Sequence, residues 1–419
     1  MRVVLCRAIR RARRHDSEAR GRRPLVRRTA ALLKRLRIAG LAFWAVLAGG
    51  QSLAGQDGHD NQRVWTNTLY PLVYYTSVDG FWAAGHFAEY SSLGFKPGPQ
   101  ANAAAVSVDG AMSTKGSYQL IVDAEAPALV GGWRAGLIVA ATRDNRLGFF
   151  GLGNATVNDP DSLSAANPYF YRVSRSRQAA RLTIQRHIFG PFRALVGGQI
   201  EHTSFRALPG ASAFTRDLGA GVIDSTKIPF TDEMVRAGLV FDTRDVETVP
   251  HSGVVVEALY AAGNGYNRRT ASARLYVNPI EKLVLAGRLA AEEMGGHPPL
   301  AAQLNMESSE QAYVAVGGYH SLRGYYDSRF TGPGKLLGGL EARYGLLWAP
   351  TLFELDLVAF YDAGRVFGPG QSVSITTKGL HHTAGGELGL RFGRNTVLAM
   401  GYGRGSEGGQ IIFGTQWAF

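Results

Sequence analysis

Few residues in this 419-residue chain have types and spacings that could do chemistry. His381-His382 could hold a metal ion, but no carboxylate lies beside the pair, and a solvated loop is the alternative reading. Gly148-Phe149-Phe150-Gly151-Leu152-Gly153 looks superficially like a phosphate-binding loop. It lacks the glycine spacing and the following helix that cradle phosphate, so it reads as a turn. A serine, a histidine and an acid could be assembled from different strands into a lipid-acting hydrolase, yet no nucleophile elbow is present. The expectation is a protein with no catalytic residues, no metal and no cofactor. What remains is the run Gly317-Gly318-Tyr319-His320-Ser321-Leu322-Arg323-Gly324-Tyr325, in which glycines bracket a single arginine. A guanidinium presents five planar donors suited to bridging carboxylates, so its chemistry depends on the elements around it.

Charge and leader come next. Residues 1–54 hold 14 of the 45 Lys and Arg and 2 of the 33 Asp and Glu, so the remainder carries 31 of each. The net charge of +12 therefore belongs to the N-terminus, and a nucleic-acid partner is excluded. Basic residues from Arg2 to Arg37, an apolar run of 11 residues at 38–48 and the small-x-small site Ser52-Leu53-Ala54 make up a cleavable secretion signal. A membrane-spanning helix needs roughly 20 apolar residues, so this run is too short. The long basic region fits a mis-assigned start, with a twin-arginine address at Arg27-Arg28 as the alternative. The lone cysteine, Cys6, lies in the leader, which excludes disulfides and thiol chemistry downstream and fits passage through an oxidising periplasm.

After Ala54 no stretch is apolar enough for a spanning helix; alternation with period two over 8–12 residues recurs instead, broken by Gly, Pro, Asn and Asp. In 353–363, Phe353, Leu355, Leu357, Ala359 and Tyr361 share one face, and Glu354, Asp356, Val358, Phe360 and Asp362 the other. In 336–346, Leu340, Ala342 and Tyr344 oppose Glu341 and Arg343. Hydrocarbon on one side and water on the other produce this pattern; a sandwich would alternate too, but the leader and the aromatic residues at strand ends favour a membrane barrel. Inside a bilayer every backbone group must pair, so the sheet must close. The expected fold is all-β, a transmembrane antiparallel β-barrel of about 16 strands in the bacterial outer membrane. It has a signal peptide at 1–54, a short periplasmic segment at 55–68 and the barrel at 69–419. Among the strands expected are one or two near 69–90, separate ones at 167–176 and 179–189, and a last one at 409–419. Long connections fall at 205–231, 293–334 and 365–383. The longest holds the arginine run, and loops of that size are usually functional.

That run resembles the Gly-Gly…Ser-(Val/Leu)-Arg-Gly-(Phe/Tyr) motif of the outer-membrane assembly and translocation superfamily, the BamA/TamA type or bacterial surface antigen family. Gly317, Gly318, Ser321, Leu322, Arg323, Gly324 and Tyr325 carry the resemblance. Four segments agree in order. Asp242, Arg244 and Asp245 followed by Pro250 and Gly253 are similar to the family's hairpin motif. Residues 339–343 resemble the strand after the loop, and 358–366 the Phe-x-Asp-x-Gly strand. Phe413, Trp417 and Phe419, at even spacing, resemble the C-terminal signal by which barrels are recognised for insertion. The match covers 230–419 firmly and 69–229 only by strand pattern.

The resemblance implies that the loop folds into the lumen and that Arg323 reaches the inner wall. Alternation supports this independently, since Glu341 and Asp362 fall on the polar face of the two strands after the loop. Phe419 is expected on the lipid face at the rim. Family members that assemble or export proteins carry periplasmic docking modules; about 15 residues separate Ala54 from the first expected strand, which leaves no room for one. The implied function is help with protein insertion or translocation alongside a separate periplasmic partner or client. Outer-membrane lipid and lipopolysaccharide would surround the barrel, and the barrel assembly machinery would act in its biogenesis. A passive pore or surface structural barrel is the first alternative, and a lipid-acting hydrolase the second.

Overall fold

The computed structural model describes residues 65–76, 78–91, 99–100, 102–310, 313–314, 316–349, 353–392, 396–414 and 416–419. The expected leader, and 55–64 of the short segment after it, lie outside the described residues.

The strands in chain order are β1 (Trp65–Thr76), β2 (Gly80–Ser91), β3 (Ala104–Ser113), β4 (Tyr118–Val130), β5 (Trp133–Gly148), β6 (Arg172–Phe189), β7 (Phe192–Ala207), β8 (Phe230–Asp242), β9 (Gly253–Gly263), β10 (Tyr266–Ile280), β11 (Leu283–Gly296), β12 (Asn305–Met306), β13 (Tyr313–Val314), β14 (Gly334–Ala349), β15 (Phe353–Phe367), β16 (His381–Phe392), β17 (Thr396–Gly405) and β18 (Gly408–Gly414). Strands β12 and β13 pair only with each other, inside the connection between β11 and β14. The other sixteen form one sheet in sequence order, the antiparallel sheet of a transmembrane β-barrel. No helix among the described residues is long and apolar enough to cross a membrane.

Alternation decides what each face meets. Directly opposed residues share a face, so the register carries one inner face from Asp362 to Gly339, Arg288, Arg274, Val255 and Asp242. Charged side chains such as Glu257, Arg268, Glu292, Glu341 and Asp362 lie buried on that face. The opposite face exposes Leu69, Val73, Val235, Leu239, Leu340 and Ile411 to the hydrocarbon.

The strand total agrees with expectation while two boundaries do not. β6 is one continuous strand where two were expected at 167–176 and 179–189, and 167–171 belongs to a connection. Between Arg172 and Phe189 there is no Gly, Pro, Asn or Asp to break it. The region near 69–90 is two strands, the first beginning at Trp65, inside the segment expected at 55–68. β18 ends at Gly414, short of the expected 419.

Even strand number places both sheet ends at the same mouth. The long connections 149–171, 208–229, 297–333 and 368–380 all open at the other mouth, the extracellular one. Three of them fold together. Phe149, Phe150 and Tyr171 pack with Phe205, Phe214 and Leu300 into a hydrophobic cap, so the run at 148–153 serves packing. A short helix, Ala213–Gly219, contributes Phe214; Ser212 and Thr215 cap its start reciprocally.

Candidate functional site

The connection 297–333 enters the barrel, and its glycine-rich bend sits deep inside. Gly318 has φ +88°, and a Cβ there would stand 1.7 Å from the Asp327 carboxylate, so glycine is required. Ser321 Oγ accepts from the Gly317 amide at 2.7 Å and closes the bend. Leu322, fully buried, packs with Met306, Val316, Phe330, Leu337 and Val366. Gly324 passes so close to β17 that a Cβ would meet the Arg404 backbone at 2.5 Å. Tyr325 Oη is 2.8 Å from Ser406 Oγ.

Arg323 therefore projects at β14 and β15. It donates from Nε and Nη2 to the two Asp362 oxygens at 2.9 and 2.8 Å, and from Nη1 to Glu341 at 2.5 Å. Glu387 Oε1 lies 3.6 Å from Nη1. The guanidinium stacks on Phe360 at 3.8 Å, and Thr383 donates to Asp362. Arg323, Glu341 and Asp362 side chains are all 0% exposed. Arg343 adds a second guanidinium to these three carboxylates, donating to the other Glu341 oxygen at 2.7 Å.

The C-terminus completes this wall. Phe413 faces outward at 60% exposure. Trp417 and Phe419 do not share that face: after Gly414 the chain turns into the lumen, contrary to the expectation of a lipid-facing Phe419. Arg343 donates to a Phe419 oxygen at 2.8 Å and lies over the Trp417 ring; Arg288 lies over the Phe419 ring at 4.5 Å. The guanidiniums and the tail's rings hold it there.

The hairpin residues form the connection 243–252 at the short-turn mouth. Asp242 accepts from Arg193 and Arg244. Asp245 accepts from the amides of Val246, His251 and Ser252; burial alone would raise its carboxyl, and these three donors hold it below its usual range. Gly253 has φ +107°, and its Cβ would stand 2.3 Å from the Thr243 carbonyl. Pro250 is buried, and Val249 reaches Val358, Val397 and Trp417 on the far wall.

A second set of contacts, not singled out in the sequence, holds the other leg of the loop. Glu307 meets Arg181 at 2.7 Å and Arg236 at 2.8 Å. Glu310 meets Arg244 at 2.6 Å and Arg274 at 2.9 Å. The alternation of β8 and β10 places Arg236 and Arg274 on the inner face, but nothing local points to their loop partners. His381 and His382 fall on opposite faces of β16; His381 stacks on Phe330 at 3.7 Å and His382 Nδ1 meets Tyr361 Oη at 2.7 Å. The pair cannot share a metal.

A buried loop arginine clamped by carboxylates of the next two barrel strands is the arrangement the motif resemblance implied. The family model of the Omp85 superfamily domain matches residues 132–405. The chain belongs to the Omp85 superfamily. Among solved structures it is similar to BamA from Haemophilus ducreyi lacking POTRA domains 1–3, at 13% identity and TM-score 0.50, covering 84% of this chain and 69% of that one. It is also similar to CdiB from Escherichia coli, at 11% identity and TM-score 0.53, covering 83% of this chain and 60% of that one. At these identities the likeness is one of fold. Among curated proteins no relative matches. Omp85 membership makes this an outer-membrane barrel of a superfamily that inserts or translocates proteins.

Proposed function

We propose that this Omp85 barrel assists the insertion of proteins into the outer membrane or their translocation across it, together with a separate partner at the short-turn mouth. The observation that carries the reading is the Arg323 clamp, with Glu341 and Asp362 at 2.5 and 2.8 Å. A bridge from a loop to two strands is wasteful in a simple wall and useful in a barrel whose lumen content must have a defined resting position. A steady passive pore is disfavoured by the same loop and by the cap of Phe149, Phe150, Phe214 and Leu300 over the extracellular mouth. A hydrolase finds no support in the His381 and His382 contacts. Affinity purification of the tagged full chain from outer membranes is the test. Co-purification of a periplasmic partner or a client is expected, and weakened association in Arg323→Ala. A barrel recovered alone after cross-linking, with steady conductance in planar bilayers, would overturn the reading in favour of a pore.

A further inference from the structure

Inside the barrel the loop is sorted by charge. Its Arg323 leg lies on the acidic wall of β14 to β16, and its acidic leg, Glu307-Ser308-Ser309-Glu310, lies on the wall of β6, β8 and β10. That second wall presents Arg181, Arg236 and Arg274. Among the described residues, Arg181 and Arg236 have no carboxylate within 4 Å other than Glu307 of the loop. Arg274 has Glu310 at 2.9 Å, with Glu257 of the wall more distant at 3.8 Å. The contacts read a peptide as well as a charge: Arg181 and Arg236 both donate to the Ser308 carbonyl, at 2.5 and 2.7 Å. The Nε atoms of both arginines are buried without an acceptor among the described residues.

The acidic leg therefore satisfies this wall only in part. Withdrawing it would leave two largely buried guanidiniums without a carboxylate within 4 Å among the described residues, an arrangement that favours a replacement anion. The pattern specifies what fits: two carboxylates three residues apart on a chain that bends at Ser309 and Glu310, so that both meet one wall, with a main-chain carbonyl in between. A phosphate group supplies the charge but not the spaced carbonyl.

We propose that Arg181, Arg236 and Arg274 form an internal docking strip for a short, bent acidic peptide segment, and that Glu307-Ser308-Ser309-Glu310 occupies the strip at rest as the chain's own stand-in. This rests on the translocation reading and names where within the lumen a client segment binds. Loop withdrawal and client engagement become one exchange, with the client's carboxylates replacing those of the loop.

The test uses the purified full-length barrel in detergent and a fluorescein-labelled synthetic peptide of residues 305–310. The variant E307Q/E310Q weakens the stand-in and should bind the peptide at least about tenfold more tightly than the unmodified chain, because a larger fraction has the strip open. Replacing both peptide glutamates by glutamine, or adding Arg181→Gln and Arg236→Gln to the barrel, should abolish that binding. Heat-modifiable migration checks that each variant is folded. If the double variant does not fold, a photo-reactive form of the peptide is applied to the unmodified chain. Cross-links to β6, β8 or β10 are expected, and cross-links confined to the outer surface overturn the proposal. Equal binding by the unmodified and E307Q/E310Q barrels also overturns it. So does displacement of the peptide by an equal concentration of inorganic phosphate, which would make the strip a phosphate site. No client or partner is present in the measurement, so the strip can fail while client association in cells persists, and the converse.

Discussion

Arg244 and Glu310 meet at 2.6 Å inside the barrel, although the connection 243–252 enters from one mouth and 297–333 from the other. Burial alone would lower the Arg244 guanidinium, but Glu310 and Asp242 hold it above its ordinary value, so it stays charged. The two closures thereby support each other. The Glu310 side chain is 41% exposed, which discounts the pair to about 1 kcal/mol. Planar-bilayer recordings should find the unmodified barrel mostly silent, and Glu310→Gln or Arg244→Ala open about fivefold more often. Unchanged recordings in both variants would show that the mouths close independently.

Arg323→Ala should undock the loop. The variant would leave Asp362 and Glu387 without their guanidinium, beside a Glu341 that keeps only Arg343, on a buried wall, at a cost on the order of 3–5 kcal/mol. Protease added to intact cells should then cut within 297–333, and the heat-modifiable form should be lost at lower temperature. Arg323→Lys should recover only part, because an ammonium cannot reach both carboxylates with planar donors. Resistance to protease in Arg323→Ala, with Glu341→Gln equally silent, would count against the clamp.

Loop docking should depend on pH through His320. Burial pushes its imidazole from 6.5 down to about 4, assisted by the Arg288 and Arg323 charges and opposed by the contact with the Ala418 backbone; the Tyr319 ring covers one side. Between those values the undocked loop takes up a proton that the docked loop refuses. The stabilisation is therefore fully present above about 6.5 and declines as pH falls towards 4. Protease sensitivity of 297–333 should rise from pH 7.5 to pH 5, and His320→Asn should flatten the profile. A profile unchanged by that substitution would assign the dependence to the wall carboxylates.

Phe419 carries two separable roles. In the folded barrel its ring lies over Arg288 and Arg343, contacts worth about 1 kcal/mol each. Before folding, 409–419 is an extended segment, and its aromatic pattern is available to the assembly machinery as an added edge strand. Deleting Phe419 should lower outer-membrane levels sharply, while the same variant refolded in detergent should only melt earlier. Normal outer-membrane levels after deletion would leave the packing role alone.

Gly253→Ala should disrupt the connection 243–252, since its Cβ would collide with the Thr243 carbonyl at 2.3 Å in a left-handed conformation. Loss of the Val249 contacts with Val397 and Trp417 should appear as increased quenching of Trp417 fluorescence by added acrylamide; an unchanged Trp417 signal would separate the turn from the far wall.

The barrel, its strand number and the inward placement of Glu341 and Asp362 were legible because each rests on a local rule, while the reach of Arg323 to them was what the resemblance of its loop implied. Period-two alternation assigns every side chain to a face without reference to anything distant, and the strands follow one another round the sheet. β6 was divided in expectation because its outward face carries Ser174, Ser176 and Gln178 before Ala180 and Leu182, so its continuity had no apolar signature across 174–178.

By itself, the sequence determined which residues face lipid, which face the lumen and where the chain must bend on glycine. Only the tertiary structure decided what fills the lumen. Glu307 meets Arg181 across 126 residues of chain, and no periodicity encodes such a pairing. Phe413, Trp417 and Phe419 look alike in spacing, yet the last two leave the strand because Arg288 and Arg343 stand ready inside to receive them. Alternation is a property of the backbone and can be read one residue at a time. The filling of an enclosed space by loop, turn and tail is settled by long-range charge compensation, which exists only once the walls have been assembled around it.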